Sequence, residues 1–92
     1  MRFEWDEAKN QANIRKHGID FSDVPELFQN PFLTLRDGRE DYGEERWISL
    51  GRIRSLIGVV VYTERQGDVI RVISARKATR QEAGYYVQNI EN

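Results

Sequence analysis

The longest unbroken apolar stretch, Leu56-Ile-Gly-Val-Val-Val-Tyr62, is apolar at both odd and even positions and about one strand long. That pattern predicts a strand buried on both faces in the middle of a sheet. Residues 69–77 form a second strand candidate, β-branched and apolar over 69–73 apart from Arg71. Gln66-Gly67-Asp68 joins the two as a hairpin turn. Upstream, residues 46–50 predict a strand with Trp47 and Ile48 on opposite faces, followed by a turn over 51–55. Residues 32–36 and 2–5 predict two further short strands.

Helical signals fill the gaps. Asp6 suits an N-cap, Glu7 the first turn and Gly18 the position after the last turn, which predicts a helix over 7–17. Ala8 and Ala12 are its small residues and predict a close approach to the sheet. Ser22 or Asp23 is placed to cap a second short helix with Pro25 in its first turn, ended by Asn30-Pro31. Thr79 stands three residues before Glu82, the spacing of a capping box, and predicts a last helix to about residue 90, with Gly84 as its weak point. Residues 37–45, with two glycines and five acids, read as a mobile loop. The order β-α-α-β-β-β-β-α predicts an α+β fold: a two-layer sandwich with an antiparallel sheet packed by two N-terminal helices, plus a C-terminal helix.

Composition narrows the chemistry. Ninety-two residues make one domain, 1–92. No cysteine and one histidine exclude disulfides, zinc-thiolate sites, thiol nucleophiles and histidine-rich metal sites, so no metal or other cofactor is expected. The apolar run is far too short to span a membrane, and the opening Met-Arg-Phe-Glu-Trp-Asp lacks a signal-peptide pattern, so a cytoplasmic protein is expected. The net charge of −1 hides a strong asymmetry. Residues 1–51 hold seven cations against eleven acids, 52–80 hold seven against two, and 81–92 add two acids. The total predicts no polyanion partner, but the basic segment permits one.

Two constellations stand out. The segment 71–80 sets Arg71, Arg76, Lys77 and Arg80 where a strand runs into a helix start, with alternation sending Arg71 and Lys77 to one face and Arg76 to the other. Guanidinium groups beside helix-terminal amides suit a phosphate, although strand-end cations equally serve as edge protection or ion-pair partners. On the first helix, Lys9, Asn13 and His17 recur every four residues as a polar stripe. Either the stripe is a solvated face whose histidine favours the negative end of the helix dipole, or His17 moves a proton and Lys9 holds a phosphate.

Phe3-x-Trp5-Asp6-x-x-Lys9, Asn13-x-x-Lys16-His17-Gly18-x-x-Phe21, Arg46 and Gly51, Val60-Val-Tyr-Thr-Glu-Arg65, and Arg71-Val-Ile-Ser-Ala-Arg76-Lys77-Ala78-Thr79 together resemble the BrnT family of bacterial ribonuclease toxins, from type II BrnT–BrnA toxin–antitoxin modules. The resemblance runs from residue 3 to Tyr85. It implies a RelE-like fold, cleavage of RNA that inhibits translation, and neutralisation by a BrnA-like ribbon-helix-helix antitoxin. Promoter DNA is then expected to be bound only by the toxin–antitoxin complex. Relatives carry a basic run after the residue matching Glu82, where this chain has Ala83 and Gly84.

RNA cleavage by 2′-hydroxyl attack needs a base, an acid for the leaving oxygen, and cations where charge grows on phosphorus. With one imidazole, the usual histidine pair is unavailable. The resemblance makes Lys9, His17, Arg65 and Arg76 the catalytic candidates, without a metal. Arg71, Lys77, Arg80, Asn13 and Tyr62 are the expected RNA contacts, with Trp47 as either a base-stacking or a core residue. The competing expectation is a non-catalytic nucleic-acid-binding or antitoxin-binding module whose ribonuclease activity is weakened or lost.

Overall fold

A computed structural model describes residues 1–92. The chain runs β1 (Arg2–Glu4), α1 (Glu7–His17), a 3₁₀ turn (Phe21–Asp23), α2 (Pro25–Gln29), β2 (Leu33–Arg36), β3 (Trp47–Ile53), β4 (Leu56–Arg65), β5 (Val69–Lys77), α3 (Arg80–Tyr86) and a terminal π-helical turn (Val87–Glu91). The α+β class and the element order agree with expectation. The sheet order is β1-β5-β4-β3-β2. It is mixed rather than antiparallel, because β1 lies parallel to β5 while every other pair is antiparallel. Parallel pairing needs a crossover long enough to span the sheet, and the segment carrying α1 and α2 supplies it. No helix is long and apolar enough to cross a membrane.

Two cores flank the sheet. On one face α1, the 3₁₀ turn and α2 cover Ile53, Val60, Tyr62, Ile70, Val72 and Ala75, with Phe21, Val24 and Leu27 inserted from the helical layer. On the other face Leu50, Ile57 and Val59 pack with Ala78 and Tyr86, so α3 covers only one end of it. Trp47 joins the first core and Ile48 the second, as alternation requires. Tyr86 is 1% exposed and its hydroxyl donates to Pro31 O at 2.7 Å, while Tyr85 is exposed.

Several boundaries differ from expectation for identifiable reasons. The turn expected over 51–55 shrinks to Arg54 and Ser55, because β3 continues through Gly51 to Ile53. Gly51 serves close packing: a Cβ there would lie 2.8 Å from Leu27 Cγ. Neither Ser22 nor Asp23 is a cap; Asp20 caps the 3₁₀ turn through Ser22 N–H at 2.9 Å, and α2 starts without a side-chain cap. Ala8 and Ala12 face solvent. The buried residues of α1 are Asn10 and Asn13, so this helix docks by its amides. Its ends follow the rules: Asp6 accepts from Lys9 N–H, and Gly18, at φ 73°, closes the last turn by donating to Ile14 O.

Alternation along β5 is broken. Val61 pairs with Ser74 but Tyr62 pairs with Val72, so Ile73 is a bulge. Arg71 therefore lies opposite Thr63, and Arg76 opposite Val59. Thr63 and Val59 are four residues apart on β4, so Arg71 and Arg76 share a sheet face and Lys77 takes the other. The expected partition, Arg71 with Lys77 against Arg76, is reversed by that one extra residue.

Two of the carboxylates held by arginines are strongly acidified. Asp37, expected in a mobile loop, is buried, takes two 2.7 Å bonds from Arg39, and continues the β2–β3 ladder by donating its N–H to Arg46 O. Glu82 accepts from Arg76 Nη1 and Nη2 at 2.8 and 2.9 Å while completing the capping box with Thr79. The guanidinium bonds of Arg39 and Arg76 hold these carboxyls at about 2, below their ordinary 3.8 and 4.5. Because both folded-state values are depressed, the stabilisation is complete above the ordinary values and lost as pH falls through about 2. The thermal midpoint should fall as pH drops below about 4.5, and Glu82→Gln should flatten that fall without abolishing it. Gly51→Ala should cost about 1–3 kcal/mol by overpacking against Leu27, measured by urea unfolding.

Candidate functional site

The candidate residues fall around separate depressions. Lys9, Lys16 and His17 of α1 border a shallow groove of about 230 Å³ with Ala12, Asn13 and the β5 residues Ile73 and Ser74. Arg76 borders a deeper groove of about 350 Å³ on the opposite sheet face, floored by Ile48 and Val61 and rimmed by Leu35, Arg39, Gln81 and Tyr85. Arg65 lies in a third hollow with Glu44, Glu45 and Glu64. The fold thus brings Lys9 and His17 together and leaves Arg65 and Arg76 apart from them. Ser74 borders both of the first two grooves, because β5 has no strand beside it beyond the short β1. Sequence reasoning overlooked Ser74 and Arg39. Ser74 carries no pattern signal of its own, and Arg39 sits in the segment read only as a loop.

Charge neutralisation separates the candidates further. Arg71 donates to Glu4 at 2.8 Å; Arg65 lies 3.8 Å from Glu4 and 4.0 Å from Glu44; Arg76 is bidentate on Glu82. Arg52 pairs with Glu91, and Arg54 with Asp23. The basic segment 52–80 is therefore largely neutralised by the acids that flank it in sequence. The phosphate-suited junction at the start of α3 is likewise occupied, since the Glu82 carboxylate stands where an anion would.

Six of the fourteen Lys and Arg have no carboxylate within 4.0 Å: Arg2, Lys9, Arg15, Lys16, Lys77 and Arg80. Three of these lie on α1, where His17 also stands exposed. Lys77 and Arg80 are exposed and free to meet a phosphate backbone.

Two expected RNA contacts are unavailable. Asn13 is buried, with its amide donating to Ile19 O and Ala75 O at 2.9 Å and accepting from Ala75 N–H at 3.2 Å. Tyr62 is a core ring 5.2 Å from Phe28, and its hydroxyl lies 2.8 Å from Ser49 Oγ, which in turn contacts Thr34 Oγ1. A ring so placed cannot stack on a base. Trp47, half-buried against the first core, likewise takes the core alternative.

The comparisons with known proteins agree with one another. A family model described as the ribonuclease toxin BrnT of type II toxin–antitoxin systems matches residues 5–82. The 1.1 Å crystal structure of the Brucella abortus ribonuclease toxin BrnT is similar, at 28% sequence identity and a TM-score of 0.65, over 87% of this chain and 99% of that one. No curated protein sequence matches. The family match ends at Glu82, just before Ala83 and Gly84. With most of its length under the family model and its sheet and helices in the arrangement of a solved member, the chain belongs to the BrnT family of type II toxin–antitoxin ribonuclease toxins.

Proposed function

We propose that the protein is a metal-independent endoribonuclease that blocks translation by cutting RNA, with its reaction centre in the α1–β5 groove. The observation that carries this reading is the set of uncompensated cations, Lys9 and Lys16, beside His17 in one groove. An unpaired cation gives its full field to a phosphate, whereas one already bound to a carboxylate must first exchange partners. His17 takes the proton of the 2′-hydroxyl as that oxygen attacks phosphorus. The bond from phosphorus to the 5′-oxygen breaks, leaving a 2′,3′-cyclic phosphate. Lys9 meets the charge that grows on the phosphoryl oxygens and supplies the proton to the departing 5′-oxygen. Lys16, Lys77 and Arg80 hold neighbouring phosphates. Metal independence is supported by the donor set, since no three His, Cys, Asp or Glu side chains are grouped to hold an ion.

The neutralised arginines favour a second reading. Arg65, Arg71 and Arg76 are all engaged, which suits a scaffold with weakened catalysis that chiefly binds its antitoxin. Incubating RNA with the purified, antitoxin-free chain in EDTA separates the two: cleavage is expected, and its absence under any condition would favour the scaffold. Lys9→Ala and His17→Ala should each lower cleavage about 10²-fold with little change in thermal midpoint. Arg76→Ala should cost about 1 kcal/mol through its half-exposed pair with Glu82 and leave cleavage within about tenfold of the parent. A loss of about 10²–10³-fold in Arg76→Ala would move the reaction centre to the sheet-face groove.

The partner is a ribbon-helix-helix antitoxin, BrnA-like, and the complex binds promoter DNA where the toxin does not. The net charge of −1 gives this chain no general attraction to duplex DNA. A promoter gel shift should therefore appear only when both proteins are present. A tight shift by the toxin alone would refute that division of labour.

A further inference from the structure

We infer that Asn13 is a positioning residue, which holds Lys9 and His17 in register against β5 by acting as a substitute for a missing strand. The inference rests on the α1–β5 groove being the reaction centre. β1 pairs with β5 only from Val69 to Arg71, so beyond Arg71 that side of β5 has no strand neighbour. At Ala75 the orphaned pair is taken by one side chain. Ala75 N–H donates to Asn13 Oδ1, and Ala75 O accepts from Asn13 Nδ2, the two-bond exchange that a strand residue would make. The remaining Nδ2 hydrogen goes to Ile19 O and ties down the chain just after the helix. All three contacts are made by a residue only 7% exposed.

The position of Asn13 on its helix makes the clamp functional. Lys9 and His17 stand four residues before and after it, so any sliding or rotation of α1 over β5 displaces both. α1 has no buried apolar stripe to set its place, since Asn10 and Asn13 are its only buried residues. Apolar contact is non-directional and tolerates small shifts, whereas paired hydrogen bonds do not. The clamp also lies two residues past the Ile73 bulge, and Ile73 and Ser74 both line the groove.

Asn10 provides the control. It is equally buried on the same helix, but it binds Asp20 Oδ1 and Phe21 N–H rather than β5. RNA cleavage by Asn13→Ala and Asn10→Ala should be measured at a temperature where circular dichroism shows both folded. Both should lose thermal midpoint. Asn13→Ala should also lose about 10–100-fold in kcat with KM nearly unchanged, the scale of an ångström-level misplacement. Asn10→Ala should keep kcat. A folded Asn13→Ala with parental kcat, or an equal kcat loss in Asn10→Ala, would overturn the inference. Should Asn13→Ala not fold, Asn13→Ser is read in the same way. If neither folds, Asn13 is a folding residue and the assignment falls. Silent Lys9→Ala and His17→Ala with active parent protein would instead remove the proposed reaction centre itself.

Discussion

The fold hangs on β5, and on how the unpaired stretch of its outer edge is satisfied. A strand interior to a sheet has both rows of backbone groups taken by neighbours; β5 has β4 along one side and only three residues of β1 along the other. Buried backbone groups left without partners are costly, so the rest of that edge needs another donor and acceptor. Asn13 supplies them at Ala75, which brings α1 against β5 and sets the first core between them. The following residue, Arg76, ties the start of α3 to the same strand through Glu82. One strand thus fixes both of the longer helices, each by a polar contact rather than by apolar area alone.

Polar anchoring leaves a chemical mark on the surface. Where carboxylates are recruited to hold elements together, as Glu82 is at α3 and Glu4 at the end of β1, the arginines they hold lose their reach for an outside anion. The helix anchored by neutral amides keeps its cations free. That difference leaves α1 with more unpaired cations than residues 71–80, although its charge density in the sequence is unremarkable beside theirs. Surface ion pairs contribute little to stability individually, but a bidentate pair still competes with an incoming phosphate for the same donors.

The second face of the sheet is less complete. α3 covers Leu50, Ile57 and Val59, whereas Leu35 and Tyr85 remain exposed beside a groove floored by Ile48 and Val61. Membership of a toxin–antitoxin family implies a protein partner, and the family match ends at Glu82, in the helix bordering that groove.

The elements themselves were legible because their signals are local. The Asp6 and Gly18 ends of α1, the Gln66–Asp68 turn and the Thr79–Glu82 capping box depend on atoms within four residues of one another, and each lies where the pattern predicts. The family was legible too, because its motifs sit on those same elements. Three matters were decided only in three dimensions. Gly51 lies inside a strand rather than a turn because Leu27, twenty-four residues away, packs onto it. The face occupied by Arg76 depends on a one-residue bulge that leaves no trace in an apolar run. The availability of each cation depends on partners remote in sequence, such as Glu4 for Arg71 and Asp23 for Arg54. Periodicity records which residues neighbour one another along a strand or helix; packing decides which charges meet across them, and so which remain free to act.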